Sequence, residues 1–339
     1  MSGDDRYLIF GGHTGWIGGK LQTLLTAQGK TFFLADARTQ NRESVEAEIE
    51  KYKPTHVLNA AGVTGRPNVD WCEDNKQETI RANVLGTLTV ADICAQKGVY
   101  HLLYATGCIF EYDDQHPIGG PGFTEEDQPN FHASFYSHTK AVVEDLLRHY
   151  PTTCTLRVRM PISDDLSHRN FVTKVRRRSG RTIFPSLHLS SLSRFPPLTR
   201  SPSPPLFPTQ IVKYDRVVNI PNSMTTLTDM LPVSLIMAER RLTGIYNFCN
   251  PGAISHNEVL DLYKKYIDPS YTYTNFSIEE QAKILKAGRS NNTMSHDKLA
   301  AALPDVTIPE IHVAMEGVFQ RMRVNLEAEG IWPDKLPKR

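Results

Sequence analysis

The residues with the plainest chemical meaning are Tyr136 and Lys140, the ends of a Tyr-Ser-His-Thr-Lys string. On a helix, positions four apart share a face. An ammonium beside a phenol favours the phenolate, so the pair is expected to lower the Tyr136 pKa and make the phenol an acid or base usable near neutrality. The chain has 13 tyrosines and only this one Tyr-x-x-x-Lys spacing. About one such pair is expected by chance, so the spacing alone carries little weight. Context adds to it, because Thr106 closes the apolar run His101–Thr106 shortly before the pair.

A second group of residues is suited to a dinucleotide. Gly12-His13-Thr14-Gly15-Trp16-Ile17-Gly18 follows the apolar run Tyr7–Phe10 and opens the helix-period segment Gly15–Ala27. Glycines permit a tight turn and close backbone approach, and a helix N-terminus attracts a pyrophosphate. The spacing is G-x-x-G-x-x-G rather than G-x-G-x-x-G. Gly12, Thr14, Gly15, Trp16, Ile17 and Gly18 are therefore the candidate cofactor loop. The next apolar run, Thr31–Ala35, ends at Asp36 and Arg38. An acid there would hold ribose hydroxyls and favour NAD; an arginine would accept a 2′-phosphate and favour NADP. Both are present; Arg38 tilts the expectation to NADPH, with NADH the alternative. Ala60-Ala61-Gly62, after the short run His56–Asn59, completes the candidate cofactor contacts.

These residues must be held by alternating elements. The first half alternates short apolar runs with helix-period segments, as βα units do. Helices are predicted over Gly15–Ala27, Arg42–Tyr52, Thr79–Gln96 and Phe135–His149, with the next strand at Thr153–Val158. After Met160 helical periods dominate, at Met230–Arg240, His256–Tyr266, Ile278–Lys286 and Ile308–Glu327. The expected fold is α/β: a Rossmann-like doubly wound parallel sheet over residues 1–160, then a smaller, mainly helical substrate domain over residues 161–339.

Composition narrows the class. The chain has 339 residues, 40% hydrophobic, with 38 basic against 37 acidic side chains. A near-zero net charge gives no field for nucleic acid or membrane surfaces, and neither is expected as a partner. No apolar run reaches membrane-spanning length, and Met1–Arg6 has no apolar leader core. The five cysteines form no CxxC pair, so a zinc ribbon or disulfide scaffold is not expected, and His13, His101 and His256 show no metal spacing. No metal is expected, and the location read from this is cytoplasmic.

One segment differs from its surroundings. Val175–Gln210 holds 7 Pro, 7 Ser and 6 Arg and no Asp, Glu or Lys. It has no hydrophobic period and is expected to be a disordered insert. The codons available to Lys174-Val175, Leu198-Thr199 and Gln210 accommodate splice and branch-point signals, so we read it as a retained intron rather than a genuine basic loop. A cDNA running straight from Lys174 to Ile211 would confirm that, and one encoding the segment in mature message would refute it.

Longer strings carry a resemblance. The order of the glycine loop, Asn59-Ala60-Ala61-Gly62, Thr106 and Tyr136-x-x-x-Lys140 resembles the extended short-chain dehydrogenase/reductase superfamily. Asn59–Glu73, Tyr104–Glu111, Phe135–Lys140, Arg157–Ser163, Val217–Ser223 and Arg289–Asn292 resemble the bifunctional nucleotide-rhamnose synthase/epimerase-reductase family. The resemblance covers nearly all of the chain except Val175–Gln210. It implies 3,5-epimerisation and NAD(P)H-dependent 4-reduction of a nucleotide-linked 4-keto-6-deoxyglucose, giving UDP- or dTDP-L-rhamnose. It implies Cys108 as base with Lys174 as partnering acid, Tyr136 as proton donor tuned by Lys140, Thr106 as a hydrogen-bond donor to the C4 oxygen, and Tyr136 and Lys140 as further cofactor contacts, with Lys140 holding the ribose. Asn170, Phe171, Asn222 and Arg289 become candidate substrate contacts. A separate 4,6-dehydratase would supply the substrate, and a homodimer is compatible with the family.

Two alternatives stand beside this reading. One is a reductase without epimerase activity, resembling dTDP-4-dehydrorhamnose reductase. The other is a non-catalytic regulatory subunit on the same fold, resembling the β subunit of methionine adenosyltransferase. The complete Thr106, Tyr136 and Lys140 set argues against the latter, since a binding module needs no proton donor.

Overall fold

The computed structural model describes residues 5–65, 68–165, 167, 169–170, 216–330 and 332. Phe171, Lys174 and Val175–Gln210 lie outside the described residues.

Six parallel strands form the central sheet: β1 (Arg6–Phe10), β2 (Thr31–Leu34), β3 (His56–Asn59), β4 (Tyr100–Tyr104), β5 (Thr153–Val158) and β6 (Gly244–Phe248), in the order β2-β1-β3-β4-β5-β6. Strands β3, β4 and β5 are buried along their whole length, as both faces of a parallel sheet are covered by helices. On one face α1 (Trp16–Ala27) contributes Leu21 and Leu25 to an apolar layer shared with Met230 and Leu231 of a later helix. On the other, α2 (Arg42–Tyr52) and α3 (Gly86–Lys97) bring Val45, Ile49, Val90 and Ile93. Asn41 starts α2 by accepting from the Ser44 N–H at 3.1 Å.

The helix predicted over Thr79–Gln96 is interrupted. A π-helical turn at Arg81–Leu85 separates Lys76–Ile80 from α3. The extra residue in that turn aims Asn83 at the chain following β3. There its Oδ1 accepts from the Val63 N–H and its Nδ2 donates to the Val63 carbonyl, both at 2.8 Å.

Helix α4 (Phe135–Leu147) carries the Tyr-x-x-x-Lys pair. It begins at Ser134, which accepts from the Ser137 N–H at 3.4 Å, and the Glu73 carboxylate accepts from the Phe135 N–H at 2.7 Å. Its inward stripe continues from Tyr136 and Lys140 to Glu144, whose buried carboxylate meets Arg157 of β5.

The sheet is not confined to residues 1–160. Its last strand, β6, and the helix preceding it, α5 (Leu227–Glu239), come from the second half of the chain. The reason is the exposed edge that β5 would otherwise present; β6 pairs with it from Cys154–Gly244 to Val158–Phe248. The rest of the second half packs α6 (His256–Tyr266) against α7 (Ile311–Ala328). Val259, Leu260 and Tyr263 meet Met315, Val318 and Phe319 there, in a core separate from the sheet. A capping box between Ser255 and Glu258 starts α6. Among the described residues no helix is long and apolar enough to cross a membrane.

Candidate active site

The carboxyl ends of β1, β3, β4 and β5 converge, and the chain leaving each one brings a functional group. In open α/β sheets this edge is where ligands bind, at the point where strand order reverses, here between β1 and β3.

After β1, Gly11 adopts φ +77, and a Cβ there would lie 2.8 Å from the Ala60 carbonyl oxygen. Cβ atoms on Gly15 and Gly18 would come within 2.1 and 2.4 Å of the Gly11 carbonyl oxygen. The loop thus closes only with glycine at 11, 15 and 18. Gly12 is tight for another reason, with Leu34 2.7 Å from its would-be Cβ. Gly11 escaped the spacing argument, although the Gly11-Gly12 doublet could have signalled it. Helix α1 begins at Gly15 with no side-chain cap, so its first N–H groups are left for an anion. Thr14 is exposed, while Trp16 and Ile17 are partly buried. The Trp16 indole N–H donates to Asp165 at 2.8 Å, so only its backbone serves the loop. At the end of β2, Arg38 is exposed, and Asp36 is paired with His13 at 2.9 Å.

After β3, Ala60 is tied to Phe10, and Ala61 donates its N–H to the Asn59 side chain. Gly62 leaves room for Lys140, whose Nζ lies 3.6 Å from the position a Cβ would take. Lys140 is 6% exposed, and burial pulls its ammonium down to about 8, with the Cys72 thiol opposing. The charge is therefore present below that pH and lost above it. In cofactor-free protein, the NMR signal of reductively methylated Lys140 should titrate near 8; a midpoint at the ordinary lysine value would contradict this burial.

After β4 comes Thr106-Gly107-Cys108. The Cys108 N–H donates to Thr106 Oγ1 at 3.2 Å, which leaves the Thr106 hydroxyl proton for the Tyr136 oxygen beside it. Tyr136 faces both residues. Burial, reinforced by the Cys108 charge, pushes the phenol up, and the Thr106 hydroxyl pulls the other way. The expected lowering by Lys140 does not occur here. Burial sets the phenol, and the lysine charge acts on Cys72 instead. Burial therefore favours the protonated phenol, suited to giving a proton rather than taking one.

After β5, Arg159 reaches back across the sheet edge. Its Nη1 donates to Cys108 Sγ at 3.1 Å. Arg159 lies within the string Arg157–Ser163 that carried the resemblance, but no role was assigned to it, since it is 51 residues from the cysteine.

The remaining sequence candidates are placed differently. Asn222 is fully buried and its side chain is spent on Arg159, Asn292, Ile220 and Asn291. Arg289 pairs with Asp70 at 3.0 Å and donates to the Ala287 carbonyl at 2.7 Å. Asn170 donates to the Ser163 and Asp165 carbonyls, with its Oδ1 buried and unpartnered. Asn292 instead clamps the Gly107 and Phe110 carbonyls, so the Arg-Ser-Asn-Asn string braces the cysteine loop. His101 is a core histidine and His256 a partly buried one, and burial pulls both down, to about 3 and about 4. Among the described residues no cluster of three His, Cys, Asp or Glu could hold a metal.

The geometry suits a reduced dinucleotide: a glycine-lined turn at a free helix N-terminus, and a lysine and tyrosine where its other end would lie. Comparison with known proteins points the same way. The family described as the RmlD substrate binding domain matches residues 6–183. The bifunctional dTDP-4-dehydrorhamnose 3,5-epimerase/dTDP-4-dehydrorhamnose reductase of Arabidopsis thaliana is 54% identical over 303 residues, 89% of this chain and 88% of that protein. A trifunctional UDP-glucose 4,6-dehydratase/UDP-4-keto-6-deoxy-D-glucose 3,5-epimerase/UDP-4-keto-L-rhamnose-reductase of the same plant is 50% identical over 89% of this chain, which spans 40% of that longer protein. The crystal structure of the L780 UDP-rhamnose synthase from Acanthamoeba polyphaga mimivirus superposes with TM-score 0.78 at 34% identity, over 94% of this chain and all of that one. The same fold, at 18% identity and TM-score 0.73 over 94% of this chain and 99% of that one, is found in dTDP-4-dehydrorhamnose reductase from Bacillus anthracis in complex with NADP.

Proposed function

This chain belongs to the family of the RmlD substrate binding domain, and from that premise we propose which of its residues perform a 3,5-epimerisation and a 4-reduction. The chain is an NADPH-dependent sugar-nucleotide enzyme that converts a nucleotide-linked 4-keto-6-deoxyglucose into nucleotide-L-rhamnose. When bound, the reduced cofactor supplies the hydride for C4. The loop Gly11–Gly18 would cradle its pyrophosphate and Arg38 its 2′-phosphate, while Lys140, which lies against Gly62, would hold its ribose.

The chain's own groups do the rest. Thr106, hydrogen-bonded to Tyr136 in the absence of substrate, would turn its hydroxyl proton toward the C4 oxygen, drawing charge onto it and acidifying the hydrogens at C3 and C5. Cys108 removes one of these from one face, and Lys174 serves as donor to the other. Tyr136, held neutral, then protonates the C4 oxygen as the ketone is reduced. The observation that carries this reading is the meeting of Tyr136, Thr106 and Cys108 at one strand end, with the thiol close enough for its charge to act on the phenol.

The test is a pair of assays run with both UDP- and dTDP-linked 4-keto-6-deoxyglucose and NADPH. Cys108→Ser should abolish rhamnose formation from that substrate while still reducing 4-keto-rhamnose nucleotide prepared beforehand. Rhamnose formation at the unaltered rate would reduce the assignment to a 4-reductase. The same assays on protein with Lys174 joined directly to Ile211 test the insert.

Arg38 should decide cofactor preference. Removing a charge-assisted contact to a phosphate costs about 1.5–3 kcal/mol, so Arg38→Ala should lower kcat/KM for NADPH about 10- to 100-fold and leave NADH nearly unchanged. Equal losses with both cofactors would place the 2′-phosphate elsewhere.

The substrate requires a 4,6-dehydratase, an activity that the trifunctional relative carries on the same polypeptide. We assign that step to a separate protein.

A further inference from the structure

We propose that Arg159 is the positioning residue that holds Cys108 as a thiolate for the epimerisation steps. The proposal rests on the reading of Cys108 as the base and adds what keeps it in a basic form.

Arg159 is 2% exposed, yet among the described residues no carboxylate pairs with it. The contrast lies two residues away: Arg157, equally buried, has the Glu144 carboxylate at 2.7 Å. A buried guanidinium without a counter-charge is costly. The groups bonded to the Arg159 side chain are the Asn222 amide oxygen at 2.6 Å, the Ser290 carbonyl at 2.5 Å and Cys108 Sγ at 3.1 Å, and its Nε has no partner. Of these, only the thiol can become an anion. Ionised, it supplies the missing charge, and the N–H donated to sulfur favours that form.

The arginine is also prevented from swinging away. Asn222 Oδ1 accepts from both Arg159 and the Asn292 N–H, and its Nδ2 is held by the Ile220 carbonyl and Asn291. The guanidinium thus aims the sulfur from the β5 side while Tyr136 faces it from α4.

In the step served, the thiolate takes a proton from C3 or C5. The C–H electron pair moves into the enolate, whose charge rests on the C4 oxygen near Thr106 and Tyr136. A donor on the opposite face returns a proton to carbon. Cys108 then releases its proton to solvent and the donor regains one, so deuterium from D₂O enters C3 and C5.

Three readouts on full-length protein test this, using UDP-4-keto-6-deoxyglucose in D₂O, UDP-4-keto-L-rhamnose with NADPH, and iodoacetamide at one neutral pH. Cys108 is the only cysteine of the five that is not buried, so brief alkylation of the folded protein reports on it. Arg159→Gln should cut deuterium incorporation about 100-fold and alkylation about 10-fold. Reduction of the ready-made 4-keto-L-rhamnose should fall far less. Arg159→Lys, which keeps a charge and a donor, should recover part of both lost rates. Deuterium incorporation and reduction falling together, with no recovery in Arg159→Lys, would make Arg159 merely structural and overturn the proposal, as would unchanged alkylation in Arg159→Gln. Cys108→Ser separates the two levels: deuterium incorporation persisting in that variant would remove the cysteine from the reaction, whatever Arg159 does.

Discussion

Tyr136→Phe is expected to lower kcat for 4-reduction by about 10²- to 10⁴-fold, the usual worth of a positioned general acid. The argument is geometric and electrostatic together. The phenol sits against Thr106 and Cys108, and burial pushes it up, which favours the protonated form. Its removal leaves the C4 oxygen with the Thr106 hydroxyl and no proton to receive. The ring itself stays, so α4 packing should be unaltered and NADPH binding by fluorescence titration nearly unchanged. Deuterium incorporation at C3 and C5, which depends on Cys108, should survive to a larger extent than reduction. A kcat within a few-fold of the unaltered enzyme would take Tyr136 out of the proton-transfer role.

The second large effect is on stability. Arg157 has no exposed surface, and its side chain makes three contacts within 3.2 Å of the Glu144 carboxylate oxygens. It also donates to the Thr124 carbonyl at 3.0 Å and to Asn247 Oδ1 at 3.1 Å, and stacks its guanidinium over Phe110 at 4.9 Å. Removing one member of such a pair strands the other as a buried charge. Glu144→Leu should therefore destabilise the fold by about 3–5 kcal/mol. In Glu144→Leu combined with Arg157→Met no charge is stranded. What remains is the loss of donors to Thr124 and Asn247, about 1–3 kcal/mol for each unsatisfied acceptor that water cannot reach. Thermal midpoints should then rank the unaltered protein first, the double variant second and Glu144→Leu last. A double variant as unstable as Glu144→Leu would mean that packing, rather than charge pairing, dominates there. Because Glu144 lies on the same helical stripe as Tyr136 and Lys140, this pair also fixes the angle at which α4 presents them.

Much of this architecture was readable in advance, because it rests on short-range patterns. The glycine loop, the apolar runs of β1, β3, β4 and β5, and the spacing of Tyr136 and Lys140 are each set within a dozen residues. Gly11 was readable in principle from its neighbour. The interruption of the helix over Thr79–Gln96 was not, because a π-helical turn leaves no mark on hydrophobic period; it exists to let Asn83 reach Val63.

The amino-acid sequence by itself determined the doubly wound sheet, the glycine turn that opens α1 and the spacing of the one Tyr-x-x-x-Lys pair, since each depends on residue type and local spacing. Tertiary structure alone decided the electrostatics. It brought Arg159 to Cys108 and Glu144 to Arg157, it turned Asn222 and Arg289 toward partners within the protein, and it raised the Tyr136 phenol where an adjacent lysine had suggested lowering. The physical reason is that burial and counter-charges come from chain segments far apart in sequence, and desolvation acts only once those segments have closed around the group.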